Sequence, residues 1–179
     1  MFDKALDFCV EAHEGQFRKG TRRPYIVHPI EVADIVTYIT QDEEILCAAL
    51  LHDTIEDCEG ITKEVIEEEF GKRVADIVAS ESEDKSKTWF ERKTHTIERL
   101  KTEPWEVQII ALADKLSNLR SIDRDYILSG EEVWDRFRMK DKNIIGWYYK
   151  EIKKSLEPTL KELDAFKEYS RLVEKVFGK

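Results

Sequence analysis

The sequence predicts an all-α fold, and three observations support this prediction. Apolar residues recur at helical spacing along most of the chain. No stretch shows the period-two alternation with β-branched residues that is typical of a half-buried strand. The 179 residues are 41% hydrophobic and 37% charged, as expected of a globular protein whose helices have charged outer faces. A chain of this length predicts a single domain over residues 1–179, built from about eight to ten helices.

Glycine, proline and capping residues place the helices of the first half of the chain. Gly15 ends the first helix, Pro29 suits the first turn of the second, with His28 just outside it, and Asp42 can cap the third. The third helix contains an apolar run, 46–51, that indicates burial on all sides. The predicted helices are 2–14, 29–39, 42–57, 62–70 and 72–80.

The second half of the chain begins with a polar stretch, ESEDKSK at 81–87, which predicts a turn. A helix follows over 88–101, and another starts at Pro104 and covers the buried-looking segment to about residue 122. Two long helices are predicted at the end, over 131–154 and 158–177.

Composition and charge exclude several classes of partner. The net charge of −9 argues against nonspecific binding to nucleic acid, because phosphate backbones attract broadly positive surfaces. No segment approaches the roughly 18 apolar residues that span a bilayer, and the N-terminal residues do not resemble a signal peptide. Three scattered cysteines indicate neither a disulfide framework nor a thiolate metal site. We therefore expect a cytoplasmic protein that binds neither nucleic acid nor a membrane.

One local cluster departs from the acidic average. The run RKGTRR, from Arg18 to Arg23, places four cations within six residues. Such a cluster can receive a small polyanion, although a solvated basic loop has the same composition.

The strongest chemical pattern is HDTIED, which places four ionisable side chains directly after the apolar segment AALL. On a continuous helix, His52 and Glu56 share one face, and Asp53 and Asp57 share the adjoining one. All four then lie within one polar sector, which can hold metal ligands together with an acid or a base.

Two further residues extend this pattern. Asp114 follows the apolar run IIALA, and a buried carboxylate requires a cation or a hydrogen-bond network. A helix-surface pairing with Lys115 or Arg120 is the alternative for this residue. His28, next to a predicted helix start, is placed to turn its ring inward, although a single histidine is more often a packing residue than a ligand.

Together, two imidazoles and two carboxylates form a mixed nitrogen and oxygen donor set that leaves positions for water and a phosphate oxygen. Such a set suits Mn, Fe or Zn better than Mg, which prefers an almost all-oxygen shell. We expect one divalent cation, with Mn²⁺ as the first choice.

The same residues resemble a known family. The separated H…HD…D pattern is that of HD-domain phosphohydrolases, and longer strings are similar to the hydrolase domain of the RelA/SpoT group. These strings are GQFRKG, PYIVHPIEVA, AALLHDTIED, EEFGKRVADIV, FERK and ALADKLSNLR. The resemblance covers about 5–156, leaves 158–177 as a C-terminal helix, and within the group is nearest to the small, Mesh1-like alarmone hydrolases.

The resemblance implies hydrolysis of guanosine 3′,5′-bis(diphosphate), and of its pentaphosphate form, at the 3′ position with release of pyrophosphate. It implies Glu56 and Asp57 as the catalytic pair. It implies metal ligation by His28, His52, Asp53 and Asp114. It implies substrate contacts from Arg18, Lys19, Asn118 and Arg138.

The chain departs from the family pattern in two places. The stretch SESEDKSKTWFE replaces the Val-Thr-Lys or Val-Thr-Asp run of relatives, which leaves Lys85 and Lys87 as candidate replacements for a substrate contact there. The aromatic residues near Lys142 do not align cleanly with relatives either.

Two alternatives remain open at this point, and a third is disfavoured. Another HD phosphohydrolase, acting on a deoxynucleotide or on NADPH, has the same metal site. A non-catalytic nucleotide-binding module keeps the fold without the chemistry. A purely structural helical protein has no use for buried ionisable groups at these positions.

Overall fold

The computed structural model describes residues 1–81 and 84–178, and helices account for the fold of these residues. There are ten α-helices and one 3₁₀ helix, over Gly130–Arg136. The α-helices are α1 Phe2–Ala12, α2 Val27–Thr37, α3 Glu43–Leu51, α4 Thr54–Asp57, α5 Lys63–Phe70, α6 Lys72–Glu81, α7 Trp89–Leu100, α8 Trp105–Ser129, α9 Lys142–Leu160 and α10 Asp164–Phe177. The described residues form no strand beyond an isolated bridge between Phe17 and Pro24. The all-α prediction is confirmed.

Side-chain caps fix several helix starts where the sequence predicts them. The Asp42 carboxylate accepts hydrogen bonds from the first-turn amides of α3, and Thr62 does the same for α5. Thr88 and Glu91 form a capping box at the start of α7. Gly71, with φ of 91°, ends α5 in a conformation that disfavours a side chain.

The start of α2 differs from its prediction. His28 lies inside the first turn of α2, not just outside the helix, and Pro29 follows it there. Proline is tolerated at this point because the first-turn amides need no partner within the helix.

The single helix predicted over 42–57 is wrong. α3 ends at Leu51, α4 begins at Thr54, and the His52–Asp53 pair forms the turn between them. Side-chain groups bind the last carbonyls of α3 at this turn: His52 Nδ1 to Ala49 O at 2.9 Å and Thr54 Oγ1 to Leu51 O at 2.7 Å. The four ionisable residues of HDTIED therefore do not share faces of one continuous helix.

The C-terminal half also corrects the sequence boundaries. α8 continues to Ser129, well beyond residue 122, and the predicted helix 131–154 is divided between the 3₁₀ helix and α9. Trp134 packs against Tyr126 and Phe177, with ring centroids 5.8 and 5.7 Å apart, which holds the 3₁₀ segment against the core. The last helix begins at Asp164, and Pro158 lies inside α9.

The polar stretch 81–87 is described only in part. Glu81 ends α6, residues 84–87 form a turn, and Ser82 and Glu83 lie outside the described residues.

α8 is the central helix and carries the middle of the core. It packs against α2, α3, α6, α9 and α10, and its segment Val107–Asp114 is buried throughout. Its position places the centre of α8 next to the start of α2 and the end of α3. The chemistry-bearing residues of these three elements consequently meet.

Three smaller points complete the fold. Cys9, Cys47 and Cys58 are buried free thiols. Within 1–81 and 84–178, no helix combines the length and apolar character needed to cross a membrane. The prediction that residues 1–179 form one domain stays a prediction.

Candidate functional site

A buried cluster of ionisable side chains lies where α2, α8 and the α3–α4 turn meet. His28 comes from the first turn of α2, His52 and Asp53 from the turn, and Asp114 from the centre of α8. The two histidines are each 2% exposed and Asp114 is 7% exposed. Burial of this kind requires that each group has a polar partner or a cation.

The side chains converge to ion-binding distances. Donor atoms of His28, His52 and Asp114 all lie within 4.8 Å of one another. Asp53 Oδ2 lies 3.0 Å from His52 Nε2 and 3.5 Å from His28 Nε2, and Asp114 Oδ1 lies 3.2 Å from His28 Nε2. Donor atoms about 2.1 Å from one cation are separated by about 3 to 4 Å. His28, His52 and Asp114 thus share one centre, and Asp53 contacts both histidines beside it.

The hydrogen bonds of His52 test whether this centre suits a cation. The Nδ1 atom contacts a carbonyl, that of Ala49, so Nδ1 must carry the proton. Nε2 is buried 3.0 Å from Asp53 Oδ2, and within residues 1–81 and 84–178 no group donates a hydrogen bond to it. A buried, unpartnered imidazole nitrogen beside two carboxylates fits a divalent metal ion.

The electrostatics of the cluster also favour a positive charge. Burial lowers the pKa of His52, but the carboxylates of Asp53 and Asp114 outweigh it and raise the pKa above its usual value. Burial similarly raises the pKa of Asp114, but Lys115 and His28 outweigh it and keep this carboxyl well below its usual range. His52 likewise outweighs the effect of burial on Asp53 and keeps the pKa of this carboxyl below its usual range, so both aspartates are ionised. The cluster forms a candidate site for a divalent cation.

Asp114 has the pairing that the sequence offered as an alternative, but not at a helix surface. Its Oδ2 accepts a hydrogen bond from Lys115, while Oδ1 accepts one from Asn118 Nδ2 at 2.5 Å and faces His28. The carboxylate is buried between these groups. Pairing with Lys115 and convergence on His28 therefore occur together.

The predicted catalytic pair lies directly after the cluster, on α4. The Asp57 side chain is 39% exposed and that of Glu56 is 22% exposed, so both are more accessible than the histidines. Lys85 bridges the pair, with Nζ 2.6 Å from the Glu56 carbonyl and 3.1 Å from Asp57 Oδ1. Lys85 is placed to position this turn of helix.

A cavity of about 480 Å³ lies beside the cluster. Tyr25, Lys115 and Asn118 line it and bind Asp53 or Asp114, whereas the cluster residues themselves and the Glu56–Asp57 pair are not part of the lining. One carboxylate, that of Asp125, lines it, in contrast to seven cations. These cations are Arg18, Lys19, Arg92, Lys93, Lys115, Arg136 and Arg138. In a chain of net charge −9, this concentration of positive charge suits a small polyanion.

All four predicted substrate residues line this cavity. Arg18 Nη2 donates a 2.6 Å hydrogen bond to Asn118 Oδ1, and Asn118 in turn donates to Asp114. Lys19 and Arg138 are exposed at the lining. Lys142 instead lies over the ring of Tyr126, at 5.0 Å, and is outside the lining. The Arg18–Asn118–Asp114 chain connects the cavity to the cluster.

A family model described as HD domain matches residues 5–140 of the chain. The chain belongs to the HD-domain family. Within that family it is homologous to proteins of the MESH1 and SpoT type.

Two relatives illustrate this homology. The chain is 42% identical over 142 residues to the guanosine-3′,5′-bis(diphosphate) 3′-pyrophosphohydrolase MESH1 of Xenopus tropicalis, covering 77% of this chain and 76% of MESH1. It is 39% identical over 132 residues to chloroplastic RSH1 of Arabidopsis thaliana. That match covers 66% of this chain and only 15% of RSH1.

A solved structure is similar to this HD-domain protein over nearly its whole length. This structure is of a metazoan ortholog of SpoT that hydrolyses ppGpp. The TM-score is 0.83 at 27% identity, with 99% of this chain and 96% of the other covered.

Sequence reasoning missed one side chain that contacts the cluster, Tyr25, and named a second, Lys115, only as a partner of Asp114 at a helix surface. Tyr25 lines the cavity and donates a 2.5 Å hydrogen bond to Asp53 Oδ2. Lys115 lines the cavity and binds Asp114. Tyr25 lies three residues before His28, in the turn that leads into α2, and this short separation was the available signal.

Proposed function

We propose that this chain is a metal-dependent phosphohydrolase that cleaves guanosine 3′,5′-bis(diphosphate), and its pentaphosphate form, at the 3′ position. The supporting observation is the cation-rich cavity that adjoins the His28, His52 and Asp114 cluster. The homology to a MESH1 pyrophosphohydrolase and to a ppGpp-hydrolysing SpoT ortholog supports the choice of substrate.

In this proposal the four clustered side chains hold one divalent cation, Mn²⁺ in preference to Fe or Zn. The ligands are His28, His52, Asp53 and Asp114. Two imidazole nitrogens with carboxylate oxygens match the donor preference of these metals. A cation at this position supplies Lewis acidity, which lowers the pKa of water and polarises a phosphoryl oxygen.

Glu56 and Asp57 act as the general base and general acid of the reaction. Water attacks the phosphorus atom bonded to the 3′ oxygen, and the bond between this phosphorus and the 3′ oxygen breaks. One of the two carboxylates takes a proton from the attacking water, and a proton passes to the 3′ oxygen that leaves. The products are pyrophosphate and guanosine diphosphate, or the triphosphate from the longer substrate.

The cavity residues bind the substrate. Arg18, Lys19 and Arg138 provide fixed positive charge for the phosphates and for the negative charge that develops during cleavage. Asn118 is hydrogen-bonded to both Arg18 and Asp114, and this fixes the position of Arg18 relative to the cluster. Aromatic side chains in the lining, including Trp89 and Phe137, offer flat surfaces for a base.

A nucleotide panel tests the reaction. The purified protein is loaded with Mn²⁺ and incubated with one nucleotide at a time: guanosine 3′,5′-bis(diphosphate), NADPH or a deoxynucleoside triphosphate. Released pyrophosphate and orthophosphate are measured separately. We expect pyrophosphate and guanosine diphosphate in equal amounts from the alarmone. Orthophosphate from NADPH, with no turnover of the alarmone, would overturn the substrate assignment. Parallel assays with Fe²⁺ and Zn²⁺, and metal analysis of the protein as purified, test the preference for Mn²⁺.

Substitution of the catalytic pair separates an enzyme from a binding module. We expect Glu56→Gln with Asp57→Asn to reduce kcat by at least about 100-fold while substrate still binds. Glu67→Gln with Glu68→Asn, on the exposed face of α5, is a matched control for the loss of two charges. If the Glu56 and Asp57 variant turns over like the control, the pair has no catalytic role.

A further inference from the structure

A second set of polar residues lies behind His28, on the side opposite the cluster centre. His28 Nδ1 lies 2.9 Å from Ser117 Oγ, and this oxygen lies 2.8 Å from Glu31 Oε2. Ser117 is 1% exposed. Glu31 lies one turn after His28 on α2, and Ser117 lies one turn after Asp114 on α8, so the chain of contacts joins the two helices.

The direction of these hydrogen bonds follows from the number of protons available. The Ser117 hydroxyl has one hydrogen, and it donates this hydrogen to the Glu31 carboxylate, which can only accept. The same oxygen must therefore accept from His28, which places a proton on Nδ1. Nε2 of His28 then presents its lone pair towards Asp114 and Asp53.

Glu31 is itself paired with Arg120 of α8, and Arg120 is in turn paired with a residue of a third helix. Glu31 Oε1 lies 3.2 Å from Arg120 Nη1, and Arg120 makes two further hydrogen bonds to Glu168, at 2.8 and 2.7 Å. Glu168 belongs to α10. Because Arg120 contacts the carboxylates of both Glu31 and Glu168, it fixes the orientation of Glu31, which accepts the hydrogen bond from Ser117.

We propose that Ser117 and Glu31 are positioning residues for the metal ligand His28. They hold the imidazole in the form whose Nε2 faces the cluster, and they fix the plane of its ring. This role rests on the proposed metal site, and it extends that site to two residues that make no contact with the cation. Loss of a partner of this kind typically reduces metal affinity by about 10- to 100-fold.

Cobalt binding to the metal-free protein tests the proposal without an activity assay. Co²⁺ is titrated by its visible absorption into the wild type and the Ser117→Ala, Glu31→Ala, Ser117→Thr and Ser155→Ala variants. Ser155 is the matched control, because it too is a buried serine whose hydroxyl donates a hydrogen bond, in this case to the Ile97 carbonyl. Glu31 is partly exposed, so its alanine variant tests the same contact with less risk to folding.

We expect about 10- to 100-fold weaker Co²⁺ binding for Ser117→Ala and Glu31→Ala, and about threefold or less for Ser117→Thr and Ser155→Ala. In the Zn²⁺-loaded protein labelled with ¹⁵N-histidine, the His28 Nδ1 proton should give a protected downfield signal that Ser117→Ala loses. Wild-type affinity in both alanine variants would overturn the positioning role and leave the metal site standing. A wild type that binds no Co²⁺ would overturn the metal site and this role with it.

Discussion

The phenol of Tyr25 donates a 2.5 Å hydrogen bond to Asp53 Oδ2, the same oxygen that lies 3.0 Å from His52 Nε2. Tyr25 also lines the cation-rich cavity. Burial and the neighbouring Asp53 raise the pKa of Tyr25 far above its usual value, so the phenol remains a donor at every physiological pH. One side chain thus joins the cavity to the proposed metal centre.

Tyr25→Phe is expected to weaken Mn²⁺ binding by about tenfold, because it removes the donor that orients the Asp53 carboxylate. Excess Mn²⁺ should restore part of the lost kcat/KM. The measurement is kcat/KM as a function of Mn²⁺ concentration, with Tyr38→Phe, at an 86% exposed position, as the control. Identical Mn²⁺ dependence in the two variants would contradict this role of Tyr25.

Lys85→Met is expected to reduce kcat by about tenfold while stability changes by less than about 1 kcal/mol. The substitution keeps the length of the side chain but removes the charge that contacts Asp57 and the Glu56 carbonyl. The effect on stability is small because the ion pair is exposed.

The control for Lys85 is Lys101→Met, which removes an exposed lysine that pairs with Glu98. Steady-state kinetics and thermal unfolding of both variants separate a role in positioning α4 from a general charge effect. Equal kcat values in the two variants would show that Lys85 does not position the pair.

Glu81→Gln is expected to stabilise the protein above pH 7. Burial raises the pKa of the Glu81 carboxyl from 4.5 to about 7, and its Oε1 has no hydrogen-bond partner within residues 1–81 and 84–178. Between pH 4.5 and 7 the folded state keeps a proton that the unfolded state releases, so the contribution of Glu81 to stability falls as the pH rises through this window. Glutamine resembles the protonated form and does not titrate.

The measurement for Glu81 is the free energy of unfolding by urea at several pH values. The variant should match the wild type near pH 4 and exceed it by about 1 to 3 kcal/mol at pH 8. Glu68→Gln, at an exposed position, controls for the change in net charge. A constant difference between wild type and Glu81→Gln across the pH range would contradict the burial of this charge.

Gly146→Ala is expected to destabilise the packing of α9 against the end of α10. A Cβ atom at this position would lie 2.9 Å from Cδ1 of the Phe177 ring and 3.0 Å from Cγ. Such overpacking costs about 1 to 3 kcal/mol, against a gain of about 1 kcal/mol in helix propensity. A double-mutant cycle with Phe177→Leu measures the coupling by urea unfolding. Additive effects would mean that the two positions do not clash.

The sequence predicted the helical class and several helix starts because these depend on local chemistry. Asp42 caps α3 as expected, Thr62 caps α5 at the residue where a helix was predicted to begin, and Gly71 ends α5. The turn at His52–Asp53 was missed because AALLHDTIED reads as one helix, and the contacts that divide it, such as Thr54 to Leu51, also occur within continuous helices. The 3₁₀ segment was missed because Trp134 folds it against Phe177, a residue distant in sequence.

The composition of the candidate site was accessible from the sequence, but its supporting contacts were not. Residue types and buried neighbours singled out His28, His52 and Asp114, which the structure brings together. Ser117 lies one helical turn from Asp114, and Tyr25 lies just before the helix of His28, but many other polar side chains are equally near in sequence. Which of them reach a ligand depends on how α2 packs against α8, and the apolar pattern does not specify this register.

The candidate ligands come from both halves of the chain, because α8 packs against α2 and α3. An ion shared by these segments would stabilise the folded state, since the unfolded chain has no preformed site for it. At 100 times its dissociation constant, such an ion adds about 2.7 kcal/mol to the stability of the folded state. Metal scarcity would then reduce the amount of intact protein as well as its catalytic activity. Removal of the ion by a chelator would destabilise the folded state and make the chain more susceptible to proteases.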